Sequence, residues 1–165
     1  MTLSDIGAYA NLLAAAGVIA SLLFVAWQIR QNNALLRAQT RQTMVERTQT
    51  ELYALVADPD ISKAFTKPDP LTQDDWIKLT HWLIASLRQR EYEWVQFSEG
   101  RLDKKLYESY RGILLIHLGP ERTAKWWRED ARDLGFNPDF VASVDAYLAS
   151  HRPSGHFDRL AASKP

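Results

Sequence analysis

Between Asp5 and Arg30 the chain carries no charged side chain, and the run Ile6 to Ile29, IGAYANLLAAAGVIASLLFVAWQI, is the longest apolar stretch in it. A bilayer's hydrocarbon core asks for about 20 such residues at roughly 1.5 Å each. Tyr9 and Trp27 are spaced to place one amphipathic ring at each face of that layer, roughly 27 Å apart along a helix. The length argues against a buried core helix of a soluble protein. The acidic start and the bulky end, Leu22 to Trp27, argue against a cleaved signal peptide. Residues 1–29 are therefore expected to form an N-terminal tip and an uncleaved transmembrane helix. Ala10, Ala14, Gly17 and Ser21 follow a four-three-four spacing that lines small residues along one side, a seam where two spans can approach closely.

From Gln28 to Val56 there is no Gly or Pro, and good helix formers predominate, so the helix is predicted to continue past the membrane as a polar rod over residues 30–57. Ala38, Val45 and Leu52 recur every seven residues, with Leu35, Leu55 and Val56 near the same side. This thin apolar stripe needs a partner, either the chain's own following domain or a second copy; spacing alone does not choose.

Residues 58–150 read as a helical domain. Asp58 and Pro59 supply an N-cap and a first-turn proline for a short helix ending near Phe65, and the TKPDP segment at 66–70 forces an extended connection. Thr72, with Asp75 three residues on, starts the main helix, expected from about Gln73 to Ser98. Trp76, Leu83, Leu87 and Trp94 centre its apolar arc, edged by Leu79 and Phe97 on one side and by Ile77, Ile84 and Val95 on the other. Gly100 ends it, and Leu102 with Asp103 opens the next helix, carrying Leu106, Tyr107, Tyr110, Ile113, Leu114, His117 and Leu118. Gly119-Pro120 restarts a helix with Ala124, Trp127, Ala131 and Leu134 on one face and a Glu121–Lys125 pair outside. After Gly135, Asn137 and Pro138 begin the last helix, with Val141, Val144 and Leu148 inward. Residues 151–165 lack periodicity and are expected to be a flexible tail.

Charge sets the orientation. Arg30, Arg37, Arg41 and Arg47 follow the span against the single acid Glu46, while the other flank offers Asp5, so the N-terminus is expected outside and the remainder in the cytoplasm. Overall charge is balanced, 20 basic against 20 acidic residues. No global field directs the chain to nucleic acid, and the juxtamembrane arginines fit topology and lipid headgroups. The absence of cysteine excludes disulfides, thiolate metal sites and thiol catalysis.

Catalytic and cofactor signatures do not emerge: there is no glycine-rich phosphate loop, zinc-protease histidine pair or nucleophile elbow. His81, His117, His151 and His156 show no metal-ligand spacing among themselves. The unexpected feature is Arg90 and Glu91 inside an apolar arc, because charges rarely sit on a buried face unpaired. Their side chains diverge by about 100°, and Arg88, one turn before Glu91, is a local partner. One reading is a buried ion-pair network fixing helix register. The other is a polar pocket using Arg88, Arg90 and Glu91, walled by Trp94, Tyr107 and Tyr110, for a small anionic or polar ligand. Trp82 and Trp126 point away from the apolar faces and are expected as exposed interface aromatics, toward a protein partner or the membrane surface.

The stretches YEWVQFSEGRLDKKLYESY, residues 92–110, and LLFVAWQIRQN at the membrane exit resemble a group of small bacterial proteins of unknown function with one N-terminal span and a helical cytoplasmic domain. The resemblance covers most of residues 6–150. It implies an all-α protein of a bacterial inner membrane and brings no catalytic positions. The expected function is an anchored interaction or oligomerisation module without catalysis. Its rivals are a tethered ligand-binding or enzymatic domain and an accessory subunit of a larger membrane complex.

Overall fold

A computed structural model of the chain describes residues 3–67 and 70–162, and every regular element among them is helical. Helix α1 (Leu3–Ala57) is followed by α2 (Pro59–Thr66), α3 (Gln73–Ser98), α4 (Lys104–Arg111), α5 (Ile113–His117), α6 (Glu121–Glu129), a 3₁₀ turn (Ala131–Asp133), α7 (Pro138–Ser150) and α8 (His156–Ala162). The protein is all-α. Pro68 and Asp69 of the expected extended connection lie outside the described residues.

Two compact units divide the chain, Met1–Arg41 and Gln42–Pro165. In the first, α1 is the one described helix long and apolar enough to cross a membrane, and its apolar window buries nothing. Tyr9 and Trp27 are both exposed there, and Trp27 rests against Phe24 with ring centroids 5.8 Å apart. Ser21 donates its hydroxyl to the Gly17 carbonyl at 2.8 Å, so the polar group in the small-residue seam is satisfied within its own helix. A Cβ on Gly17 would meet nothing within 4 Å.

The second unit begins well before residue 58, where the helical domain was expected to start. Met44 is fully buried, and Thr48, Glu51 and Leu55 continue its face with partial burial. This four-three-four spacing marks one side of α1, and through it the last turns of that helix belong to the folded domain. The expected stripe is on another side: Val45 and Leu52 remain 46% and 55% exposed. Two of the four packing residues are polar, so hydropathy did not mark the face.

Helix starts follow local chemistry. Asp58 caps α2 by accepting from the Asp60 N–H, Asp103 caps α4 through the Leu106 N–H, and Asn137 caps α7 through the Asp139 N–H. At α3, Thr72 and Asp75 form a reciprocal pair: Thr72 Oγ1 accepts from the Asp75 N–H at 3.2 Å and donates to its carboxylate at 2.8 Å. Gly100 takes φ +71°, letting the Arg101 and Leu102 amides turn back onto the Gln96 carbonyl.

Helix α3 is the centre of the domain and is covered on two sides. Leu79, Leu83 and Leu87 enter the main core with Phe65, Leu114, Trp127, Phe136, Phe140 and Val144. A second side, carrying Trp82, Ser86, Gln89, Arg90 and Glu93, is buried as well. This corrects the expectation for Trp82, which is only 7% exposed and packs edge-on against Phe65 and His117. Trp126, also expected at an interface, is 5% exposed and belongs to the same core as Trp127. A single apolar arc predicts one covered face per helix, whereas α3 and α6 are each covered on two.

Residues 151–162 likewise depart from the flexible tail. Phe157 in α8 stacks on Phe65 at a centroid distance of 4.0 Å, and the Ser154 N–H donates to the Leu115 carbonyl. Gly119 makes room for this return: a Cβ there would lie 2.2 Å from the Leu115 carbonyl oxygen and 3.3 Å from Pro153. On α6, Glu121 pairs with Arg128 rather than Lys125, and Leu134 is 43% exposed instead of inward.

Candidate functional site

The charged residues singled out in α3 go to different places. Arg88 and Glu91 pair at 2.7 Å, and together they hold the turn that leads into α7. Arg88 donates to the Leu134 and Gly135 carbonyls and lies over the Phe136 ring at 4.1 Å, while the Glu91 carboxylate accepts the Asn137 N–H. This clamp uses both groups for fold.

Arg90 turns the other way, into the contact between α3 and the last turns of α1. It is 4% exposed, and its Nη2 lies 3.1 Å from both Glu51 and Glu93. Glu93 also accepts from Gln89 Nε2 at 2.9 Å, and Gln89 accepts in turn from Arg47, whose guanidinium covers Tyr92. Glu51 extends the network to a second helix pair. Ser86 donates its hydroxyl to Glu51 and lies 3.0 Å from His117 Nδ1 on α5. Since the serine proton is committed to the carboxylate, Nδ1 of His117 is the donor toward Ser86, which fixes the tautomer.

Burial sets the protonation states. His117 is pushed down to about 3, because desolvation, with the nearby Arg90 charge adding to it, disfavours the imidazolium. The imidazole is neutral at pH 7. Glu93 is pushed above the usual carboxylate range by desolvation, which outweighs the pull of Arg90 and Gln89. Among the described residues Arg90 Nε has no hydrogen-bond partner.

Serine, histidine and glutamate together suggest nucleophilic catalysis, but the arrangement differs from a relay. Catalytic activation needs the imidazole nitrogen facing the serine to be an acceptor. Here it is a donor. Ser86 is also 1% exposed in the middle of α3, where its own N–H serves the helix and offers no oxyanion contact. The cluster is a hydrogen-bonded lock between α1, α3 and α5.

A concavity of about 310 Å³ lies beside the lock, lined by the polar side chains of Thr48, Glu51, Arg90, Ser109 and His117 and by Leu52, Leu55, Trp82, Tyr110, Ile113 and Ile116. It unites Arg90 and Tyr110 from the expected pocket. Arg88, Glu91, Trp94 and Tyr107 are not among its lining: Trp94 packs against Phe140, and Tyr107 is buried in a stack with Phe97 at 4.2 Å. The sequence reading missed Glu51, Ser86, Gln89, Glu93 and His117 as one group. Ser86, Gln89 and Glu93 share a face of α3, yet polar residues at that spacing read as a solvated surface until α1 is seen to cover it. Among the described residues no three His, Cys, Asp or Glu side chains gather to hold a metal ion.

Comparison with protein-family models, with curated proteins and with solved structures finds no match to this chain.

Proposed function

We propose that this chain is a single-span protein of a bacterial inner membrane, with its N-terminus outside and residues 30–165 in the cytoplasm, acting by contact with other protein chains and without catalysis. One observation carries the reading. The last turns of α1 dock on the domain through Met44, Thr48, Glu51 and Leu55, while Val45, Leu52, Tyr53 and Val56 are left 46–76% exposed on other sides of the same helix. Exposed apolar residues beside a packed core offer a surface for contact. The arginines after the span support the orientation, and the resemblance to small bacterial single-span proteins supports the setting.

The test is purification of the full chain in mild detergent, alongside Val45→Glu/Leu52→Glu. Bound protein, whether another polypeptide of a membrane complex or a second copy, is expected with the parent and lost with the variant. A monomeric parent with nothing bound refutes the reading. A reporter fused at residue 165 that is active only in the periplasm refutes the orientation.

A second reading is favoured by the concavity beside Arg90. Its aliphatic and aromatic walls together with Glu51, Arg90 and His117 suit a small, mainly apolar ligand that carries hydrogen-bonding groups. A thermal-shift screen of such compounds tests it, with Tyr110→Ala expected to abolish any shift.

A further inference from the structure

The concavity beside Arg90 belongs wholly to the unit Gln42–Pro165, and is walled by the last turns of α1, the middle of α3 and the junction of α4 with α5. Beyond its apolar walls, what a ligand meets there depends on where the protons of the polar groups already go. The Thr48 hydroxyl donates to the Met44 carbonyl at 2.9 Å and the Ser109 hydroxyl to the Leu106 carbonyl at 2.7 Å, so each is left with lone pairs to offer. Glu51 accepts from Ser86 and Arg90. Arg90 commits Nη2 to Glu51 and Glu93, and its Nε is buried out of reach of a molecule in the concavity. His117 gives its Nδ1 proton to Ser86, which is not part of this lining, and a neutral imidazole protonated there keeps the Nε2 lone pair for any other contact. Tyr110 alone among these lining side chains has a hydroxyl free to donate or accept. The polar wall is rich in acceptors and poor in donors.

We infer that this concavity takes an uncharged molecule with an apolar body and a hydroxyl group that donates to the wall, an alcohol or a phenol; this rests on the small-ligand reading above and names the ligand class. A guest that brings its own proton gives these acceptors a partner, whereas one carrying acceptors alone would leave its own polar atoms unpaired against them. Charge then separates a neutral donor from an ammonium. Burial and the neighbouring Arg90 both disfavour positive charge at His117, which is why its imidazole stays neutral. A cationic ligand would meet the same desolvation beside the same arginine. A carboxylate fares no better, because Arg90 already serves Glu51 and Glu93, and a third anion would be buried without a cation of its own. Leu52, Leu55, Trp82, Ile113 and Ile116 cover the apolar body.

Probes that share one apolar body test the class: 2-naphthol, 2-methoxynaphthalene, 2-naphthoate and 2-naphthylmethylammonium, each added to the full chain in mild detergent at pH 7, with binding followed by equilibrium dialysis and by the shift in melting temperature. 2-Naphthol is expected to raise the melting temperature and to bind roughly five- to tenfold more tightly than its methyl ether, the difference that one hydrogen bond in an enclosed site supplies. The two ions are expected to give no shift. Ile113→Trp fills the concavity and should abolish the effect of 2-naphthol; Ser109→Leu, at an exposed position on the lining, should weaken it several-fold without disturbing the core. Equal binding of 2-naphthol to the parent and both variants places it elsewhere and overturns the inference. If the methyl ether or either ion binds as tightly as 2-naphthol and is displaced by Ile113→Trp, the hydroxyl class is wrong while the small-ligand reading stands. If none of the four binds but the wider screen yields a ligand lost in Tyr110→Ala, the same division holds; if that screen is blank as well, both fall.

Discussion

The buried His117 makes acid stability the sharpest quantity to measure. An imidazole whose native value is about 3, against about 6.5 when unfolded, binds its proton only in the unfolded chain between those values. Stability is therefore complete above pH 6.5 and falls as pH drops toward 3. Each unit is worth about 1.36 kcal/mol, so lowering the pH from 7 to 5 removes about 2 kcal/mol on this account. Glu93 acts in the opposite sense: its raised native value means that stability rises as pH falls toward the ordinary 4.5. The two windows overlap, and the parent should show a shallower slope than His117 alone dictates. Glu93→Gln removes the opposing group while keeping an acceptor for Gln89, and should expose the full loss of about 2 kcal/mol. In His117→Gln the slope should reverse. The assay is urea unfolding of the full chain in mild detergent, followed by tryptophan fluorescence from pH 4.5 to 7.5. If Glu93→Gln loses no stability between pH 7 and 5, or His117→Gln keeps the parent's slope, the assignment of a neutral buried histidine is wrong.

Arg90→Met leaves Glu51 and Glu93 facing each other without their shared cation and should cost about 3–5 kcal/mol in the same unfolding assay; adding Glu93→Gln should recover part of it, and an unchanged midpoint for the single variant would refute the shared pairing. Gly119→Ala places a methyl group against the Leu115 carbonyl and should cost about 1–3 kcal/mol, with earlier proteolytic cleavage after residue 150 as α8 loses its seat. A protease pattern like that of the parent would count against the packing of the return segment.

How much of this was legible in the sequence depends on what each contact is made of. Asp58-Pro59, Thr72, Asp103 and Asn137-Pro138 each mark a helix start, because capping is decided within four residues. The interior of α3 was readable where it is aliphatic: Leu79, Leu83 and Leu87 face the core as their spacing requires. Trp82 was misplaced because its side of α3 is covered by α1, α2 and α5, elements distant in sequence. Phe157 was missed for a related reason. A single aromatic in HRPSGHFDRLAASKP makes no periodicity, yet one ring stacked on Phe65 suffices to seat a short helix. Glu51 illustrates the deepest limit, since a lone acid on a polar rod reads as solvated until Ser86, Arg90 and His117 are known to meet it.

The polarity of the lock has a physical reason. Among the described residues, Met44 and Leu55 are the apolar side chains that α1 buries or half-buries on the face by which it joins the domain, and two flexible side chains would tolerate a helix rotated by tens of degrees. Hydrogen bonds and ion pairs do not: Glu51 must meet Ser86 and Arg90 together, and a small rotation would leave buried charges unpaired at several kcal/mol. Replacing such a network with aliphatic residues often preserves stability, so its contribution here is specificity of facing. By fixing which side of α1 turns inward, Arg90, Glu51 and Ser86 also fix which side turns outward. The outward side carries Val45 and Leu52, so the buried charges define which apolar side chains α1 leaves exposed.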